Sequence, residues 1–132
     1  MLPIIFENSR VPALLSKIAP FQVGGFSFFI FVFTRGKCSQ RLKVHETVHF
    51  QQQLEGLFLF QWIGYGLWWL TLFAYHSAFS KSSMSPAYLA YRFSPYEIEA
   101  YDNQDNPFYN EERKMFAWVK YIPRAFERIN DA

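Results

Sequence analysis

The chain carries one cysteine, Cys38, among its 132 residues. That excludes an internal disulfide and any cysteine-based zinc ribbon. It also has no secretory leader of the usual form. "MLPIIFENSRVPALL" has no basic start, and Pro3 and Glu7 interrupt its apolar run. Export by that route is not expected, which leaves a membrane-associated or cytoplasmic location. The formal net charge is only +2, so no nucleic-acid partner is expected. Internal repeats and low-complexity linkers are absent, and residues 1–132 read as a single domain. Residues 56–80 lack Asp, Glu, Lys and Arg altogether.

Aromatic residues are abundant instead: 21% of the chain, including 16 phenylalanines. A domain of this size has a modest core. Some of these rings are expected to face lipid or a partner, including a second copy in an oligomer. Basic residues cluster at Arg35, Lys37, Arg41 and Lys43. They suit anionic lipid heads or an ordinary solvated loop.

Histidine is scarce, and two of the three residues lie in "KVHETVHFQQQ", residues 43–53. His45-Glu46-Thr47-Val48-His49 matches H-E-x-x-H. A helical turn is about 3.6 residues, so His45 and His49 point the same way and can share one zinc ion. Glu46 lies about 100° around the helix. It is too far round to be a third ligand, yet close enough to take a proton from a metal-bound water. The bland alternative is a helix with two surface histidines and no metal. Gln52, seven residues after His45, shares its face and suits a hydrogen bond to a ligand or a substrate carbonyl.

A catalytic zinc site ordinarily has three protein ligands. Asp102, Asp105, His76, Glu97 and Glu99 are the downstream candidates. Glu97 is preferred, because the Ser94-Pro95 cap would aim it from a second helix and Ala100 would let that helix pack closely. Ser94-x-x-Glu97 is also a capping box, which would occupy the carboxylate without any metal. Glu97 and Glu99 stand about 200° apart on a helix, so both cannot serve one metal. Tyr101 follows Glu97 by one turn and is a candidate for stabilising an oxyanion. Tyr96 and Arg92 are similar but weaker candidates. Cys38 reads as a loop thiol.

The remaining pattern predicts a mainly helical chain with one or two short strands. Ser9 caps a helix that runs to about Ala19, ahead of Pro20. Gly24-Gly25 turns into a strand over Phe26–Thr34. A long helix from Ser39 or Gln40 carries the H-E-x-x-H and continues into the aromatic run, with a candidate break at Gly64–Gly66. His76–Pro86 reads as a polar loop. Helices follow at 86–91 and from Ser94. A turn covers 102–107, and a last helix opens at Asn110 and is kinked at Pro123.

"HETVH" together with "EIEAY" resembles the gluzincin branch of zinc metallopeptidases, which pair H-E-x-x-H with a glutamate on a later helix. The layout over residues 20–121 also looks like small H-E-x-x-H proteins of bacteria and phages. The resemblance implies a minimal zincin-like α+β fold. It implies zinc held by His45, His49 and Glu97, with Glu46 as general base and a peptide or protein as substrate. It further implies that Phe26–Thr34 offers an exposed edge to an extended peptide. Tyr101 stands where the family has an aspartate that supports a histidine ligand.

Residues 56–80 are long enough to span a bilayer, which takes about 20 residues. One crossing would place His45 and His49 on the opposite side from Glu97. The run must then bend into a shallow hairpin, pack as a buried or interface helix, or span while Glu97 acts only as a cap. The leading expectation is a zinc metallohydrolase at or near a membrane or apolar surface. The alternative is a non-catalytic membrane or subunit-interaction protein with a structural or vestigial metal site.

Overall fold

The computed structural model describes residues 3–18, 25–28 and 31–130. It is mainly helical with short strands, as the pattern predicts. Strand β1 (Ile4–Phe6) leads into helix α1 (Val11–Ile18), whose first turn is capped by the Ser9 hydroxyl accepting from the Val11 N–H at 3.1 Å. Ala19, Pro20 and Gly24 lie outside the described residues.

The expected single strand over Phe26–Thr34 is instead two strands, β2 (Gly25–Phe28) and β3 (Phe31–Thr34). They pair antiparallel, with Phe28 opposite Phe31 and Gly25 opposite Thr34. A continuous apolar run shows no period that would reveal the reversal. β1 pairs with β3 in parallel, giving the order β1-β3-β2. Val32 and Thr34 of β3 are fully buried, while Phe31 and Phe33 pack with Phe6 on the other face.

Helix α2 (Gln40–Glu55) starts at Ser39, whose hydroxyl accepts from the Leu42 N–H. It packs against β2 and against α5. The expected continuation into the aromatic run does not occur. Leu57 and Phe58 take left-handed φ values of 50° and 59°, and helix α3 (Leu59–Phe79) departs at 112° to α2. Gly56 makes this corner possible, because a Cβ there would sit 2.6 Å from the Gln61 backbone nitrogen. The predicted break at Gly64–Gly66 is absent, and α3 runs straight through it. Gly64 is a contact site: a Cβ there would lie 2.7 Å from the Tyr96 hydroxyl. The predicted loop from His76 shrinks to residues 80–85, with His76 inside α3.

Helices α4 (Pro86–Arg92) and α5 (Pro95–Asn103) stand where the sequence predicts them; each begins with a serine cap followed by proline, of which only Ser94-Pro95 was expected. The expected final helix is broken into α6 (Tyr109–Glu112), a 3-10 turn at Ala117–Tyr121 and α7 (Ile122–Ala125). Phe116 in a left-handed conformation and Pro123 in the first turn of α7 divide these pieces. The apolar core joins Leu72, Ala90, Ile98, Tyr121 and Ala125, with Trp68, Trp69 and Phe93 against it. Ala100 is fully buried in α5. α2 and α5 therefore lie face to face and bring residues more than fifty positions apart into contact. Among the described residues no single helix is long and apolar enough to cross a membrane, and only the bent α2–α3 pair passes that test together.

Candidate metal centre

The two histidines, one turn apart on α2, meet the preferred carboxylate, Glu97. His45 Nε2 lies 3.1 Å from Glu97 Oε2, and His49 Nε2 lies 3.1 Å from Glu97 Oε1. The two Nε2 atoms are 3.2 Å apart. The three groups form the one cluster of potential ligands found among the described residues, and all are buried. Two donors bound tetrahedrally to zinc at about 2.0–2.1 Å stand roughly 3.3 Å apart. The donor set fits that geometry with little movement.

Each histidine is oriented through its other nitrogen. His49 Nδ1 is 2.8 Å from Gln52 Oε1, and His45 Nδ1 is 3.0 Å from Gln104 Oε1. The Gln52 amide nitrogen donates to the Tyr96 carbonyl and to Glu99 Oε1, which fixes its oxygen toward His49. Both Nδ1 atoms thus face an amide oxygen and both Nε2 atoms face Glu97, where a metal would take their lone pairs in place of a proton. Gln52 thus bonds one of the two candidate ligands, His49. The hydrogen bond to the second nitrogen of His45 comes from Gln104 and not from Tyr101. Gln104 stands seven residues after Glu97, two turns along the same helix face, and that spacing is a signal the sequence carries.

Glu97 is only half of a capping box. The Ser94 hydroxyl accepts from the Glu97 N–H at 3.3 Å, but the Glu97 carboxylate turns to the histidines. Burial pushes its pKa up, and His49 and His45 pull it below the usual carboxylate range. Burial pulls His49 down, but the charge and hydrogen bond of Glu97, with Glu46 and Gln52, hold it at about 10. Tyr65 of α3 donates to Glu97 Oε1 at 3.2 Å, a contact hidden from sequence because it depends on the corner at residues 56–58.

Glu46 is 5% exposed, and its carboxylate has no hydrogen-bond partner among the described residues. Burial raises its pKa, the two histidines lower it, and Glu97 raises it again. The balance is upward, which makes it a stronger base. Tyr101 stands edge-on to the His45 ring at 4.5 Å, with the Arg92 guanidinium 3.7 Å from its own ring. Its hydroxyl lies 3.3 Å from that of Tyr91.

The other candidates lie elsewhere. Glu99 is bound by Arg113, Tyr109 and Gln52. Asp102 pairs with Arg124, and Asp105 with Arg41. His76 bonds Ser80 through Nδ1. Burial, then Glu7 and Glu46, push the Cys38 thiol up and disfavour a thiolate. The structure thus shows a buried His-His-Glu group able to hold a metal ion. No family model matches the chain, and neither a curated protein nor a solved structure is significantly similar to it.

Proposed function

We propose that the chain is a zinc-dependent metallohydrolase, with a peptide as the first choice of substrate. One observation carries the reading. Two imidazole Nε2 atoms and a carboxylate converge within about 3 Å beside Glu46, a buried carboxylate with no hydrogen-bond partner among the described residues. Two nitrogens and one oxygen form the donor set of catalytic zinc sites, which keep a fourth position for water. Zinc bound there supplies an acidified water and a polarised carbonyl. His45, His49 and Glu97 hold the ion. Glu46 takes the proton of the water whose oxygen attacks the scissile carbonyl carbon, and passes it to the leaving amine as the C–N bond breaks.

The docking strand expected over Phe26–Thr34 narrows to its first part. β3 precedes the H-E-x-x-H helix but lies between β1 and β2, so both of its edges are taken. β2 is an edge strand and packs against α2, and it is the better place for an extended peptide. The deciding measurement is metal content of the purified chain beside peptidase activity. About one zinc per chain is expected, lost in both His45→Ala and Glu97→Ala. Glu46→Gln is expected to retain zinc and lose activity. Activity unchanged in Glu46→Gln would reduce the site to a structural metal in an interaction protein.

A further inference from the structure

Helix α3 has two faces. Gln61, Tyr65, Leu72 and His76 turn inward, with Tyr65 reaching Glu97. Phe60, Ile63, Leu67 and Leu70 recur every three or four residues on the opposite side, and they are 65, 50, 60 and 60% exposed. Leu57, at the corner, extends the stripe and is 72% exposed. A helix face open to water is ordinarily polar. A continuous apolar stripe marks an interaction surface.

Two observations identify the occupant. α3 itself carries no charge beside the stripe: its other exposed residues include Gly66, Thr71, Ala74, Ser77 and Ala78, and residues 56–80 hold no ionisable acid, lysine or arginine. Protein interfaces surround an apolar centre with polar residues, whereas hydrocarbon needs no such rim. The ends of the stripe, by contrast, are basic. Lys81 follows α3, and the Arg128 guanidinium lies 5.4 Å from the Phe79 ring. At the corner, Phe116 donates its N–H to Glu55 and is flanked in sequence by Lys114 and Lys120. Lys114, Lys120 and Arg128 are exposed and outside the ion pairs that hold Arg113 and Arg124, with Glu112 beside the two lysines and Glu127 beside Arg128.

We propose that α3 lies flat on an anionic lipid bilayer. Leu57, Phe60, Ile63, Leu67 and Leu70 enter the boundary between headgroups and acyl chains, and Lys81, Lys114, Lys120 and Arg128 meet lipid phosphates. The helix does not cross, because its inner face is packed on α4 and bonded to Glu97. This docking stands independently of the metal reading.

The test is co-sedimentation of the full chain with phosphatidylcholine vesicles, with and without about 30% phosphatidylserine. Binding to the mixed vesicles is expected to be at least about tenfold tighter, and alkaline carbonate should release it. The paired change Leu67→Asp and Leu70→Asp should weaken binding about tenfold or more at unchanged zinc content. Lys114→Glu with Lys120→Glu should weaken binding to the mixed vesicles alone, and these exposed lysines decide the matter if the leucine pair disturbs folding. Zinc content is read separately, so failure of docking and failure of the metal site are distinguishable. Equal binding by wild type and both pairs of variants overturns the proposal. So does retention in carbonate, which means a spanning helix. A soluble dimer that ignores vesicles and dissociates in the leucine pair also overturns it, by making a second copy the occupant.

Discussion

Glu97 and Glu99 sit two residues apart on α5, both buried, and face opposite sides. On one side Glu99 receives Arg113 through two hydrogen bonds of 2.5 and 3.0 Å, plus the Tyr109 hydroxyl and the Gln52 amide. Arg113 also grips Glu55 at the end of α2 through two bonds. On the other side Glu97 meets two imidazoles and one phenol. The difference is one of charge. A buried carboxylate demands a cation, and arginine is one at every working pH. Imidazoles become cations only by taking up protons, and His49 does so here because the charge of Glu97 outweighs burial. The Glu99 side is complete within the protein and clamps α2, α5 and the segment after α6 together. The Glu97 side lacks a permanent cation, which is what a metal would add.

The sharpest way to break the comparison is to remove the permanent cation. Arg113→Met should destabilise the fold by about 3–5 kcal/mol, because Glu99 and Glu55 stay buried and unpaired. Urea unfolding measures it. Glu97→Gln should do the opposite, lowering zinc affinity by more than about 100-fold while leaving the metal-free fold within roughly 1–2 kcal/mol of wild type. Calorimetric titration with zinc and unfolding in chelator check the two halves. If Glu97→Gln costs as much stability as Arg113→Met, the two sides are not different in kind.

The glutamines rank next. Gln52→Ala and Gln104→Ala should each weaken zinc binding about 10–100-fold. Gln52 should matter more, because it joins His49 to Glu99 and so links the two sides. Tyr65→Phe removes a single hydrogen bond to Glu97 and should cost only about 1 kcal/mol of zinc affinity.

The smallest effect belongs to His76, a buried histidine with no carboxylate beside it. Burial lowers its pKa, partly offset by the Ala125 backbone. Its folded value lies below its unfolded one, so its contribution to stability is present above pH ~6.5 and lost as pH falls below that. His76→Phe should flatten that acid slope slightly and leave zinc content unchanged.

Much of the site was legible because it is local. The four-residue spacing of His45 and His49 needs only a helix, and Ser39, a plain N-cap, starts it. Glu97 was legible from its own cap at Ser94-Pro95, and Ala100 from its size. The paired strands β2 and β3 were not, since "GFSFFIFVFT" is predominantly apolar and carries no turn residue between its halves. The corner at residues 56–58 was missed because it rests on Leu57 and Phe58 in backbone conformations that their side chains disfavour. The glycines at 64 and 66 looked like the break instead. Gly64 proves to be a place for Tyr96 to approach, a demand that comes from another helix.

The sequence by itself determined the chemistry on offer: a single thiol, an H-E-x-x-H helix, a capped glutamate downstream and an uncharged aromatic run. Those follow from composition and from short periods along one element. Only the tertiary structure decided which carboxylate the histidines meet. The cap at Ser94-Pro95 favours Glu97, and the packing seals that choice through Arg113, which claims Glu99 from fourteen residues away in the chain. It also decided that the aromatic run turns back over the site, putting Tyr65 on Glu97. The physical reason is the same in both cases. A buried charge is settled by whatever partner the packing brings within about 3 Å, and no spacing along the chain encodes that distance.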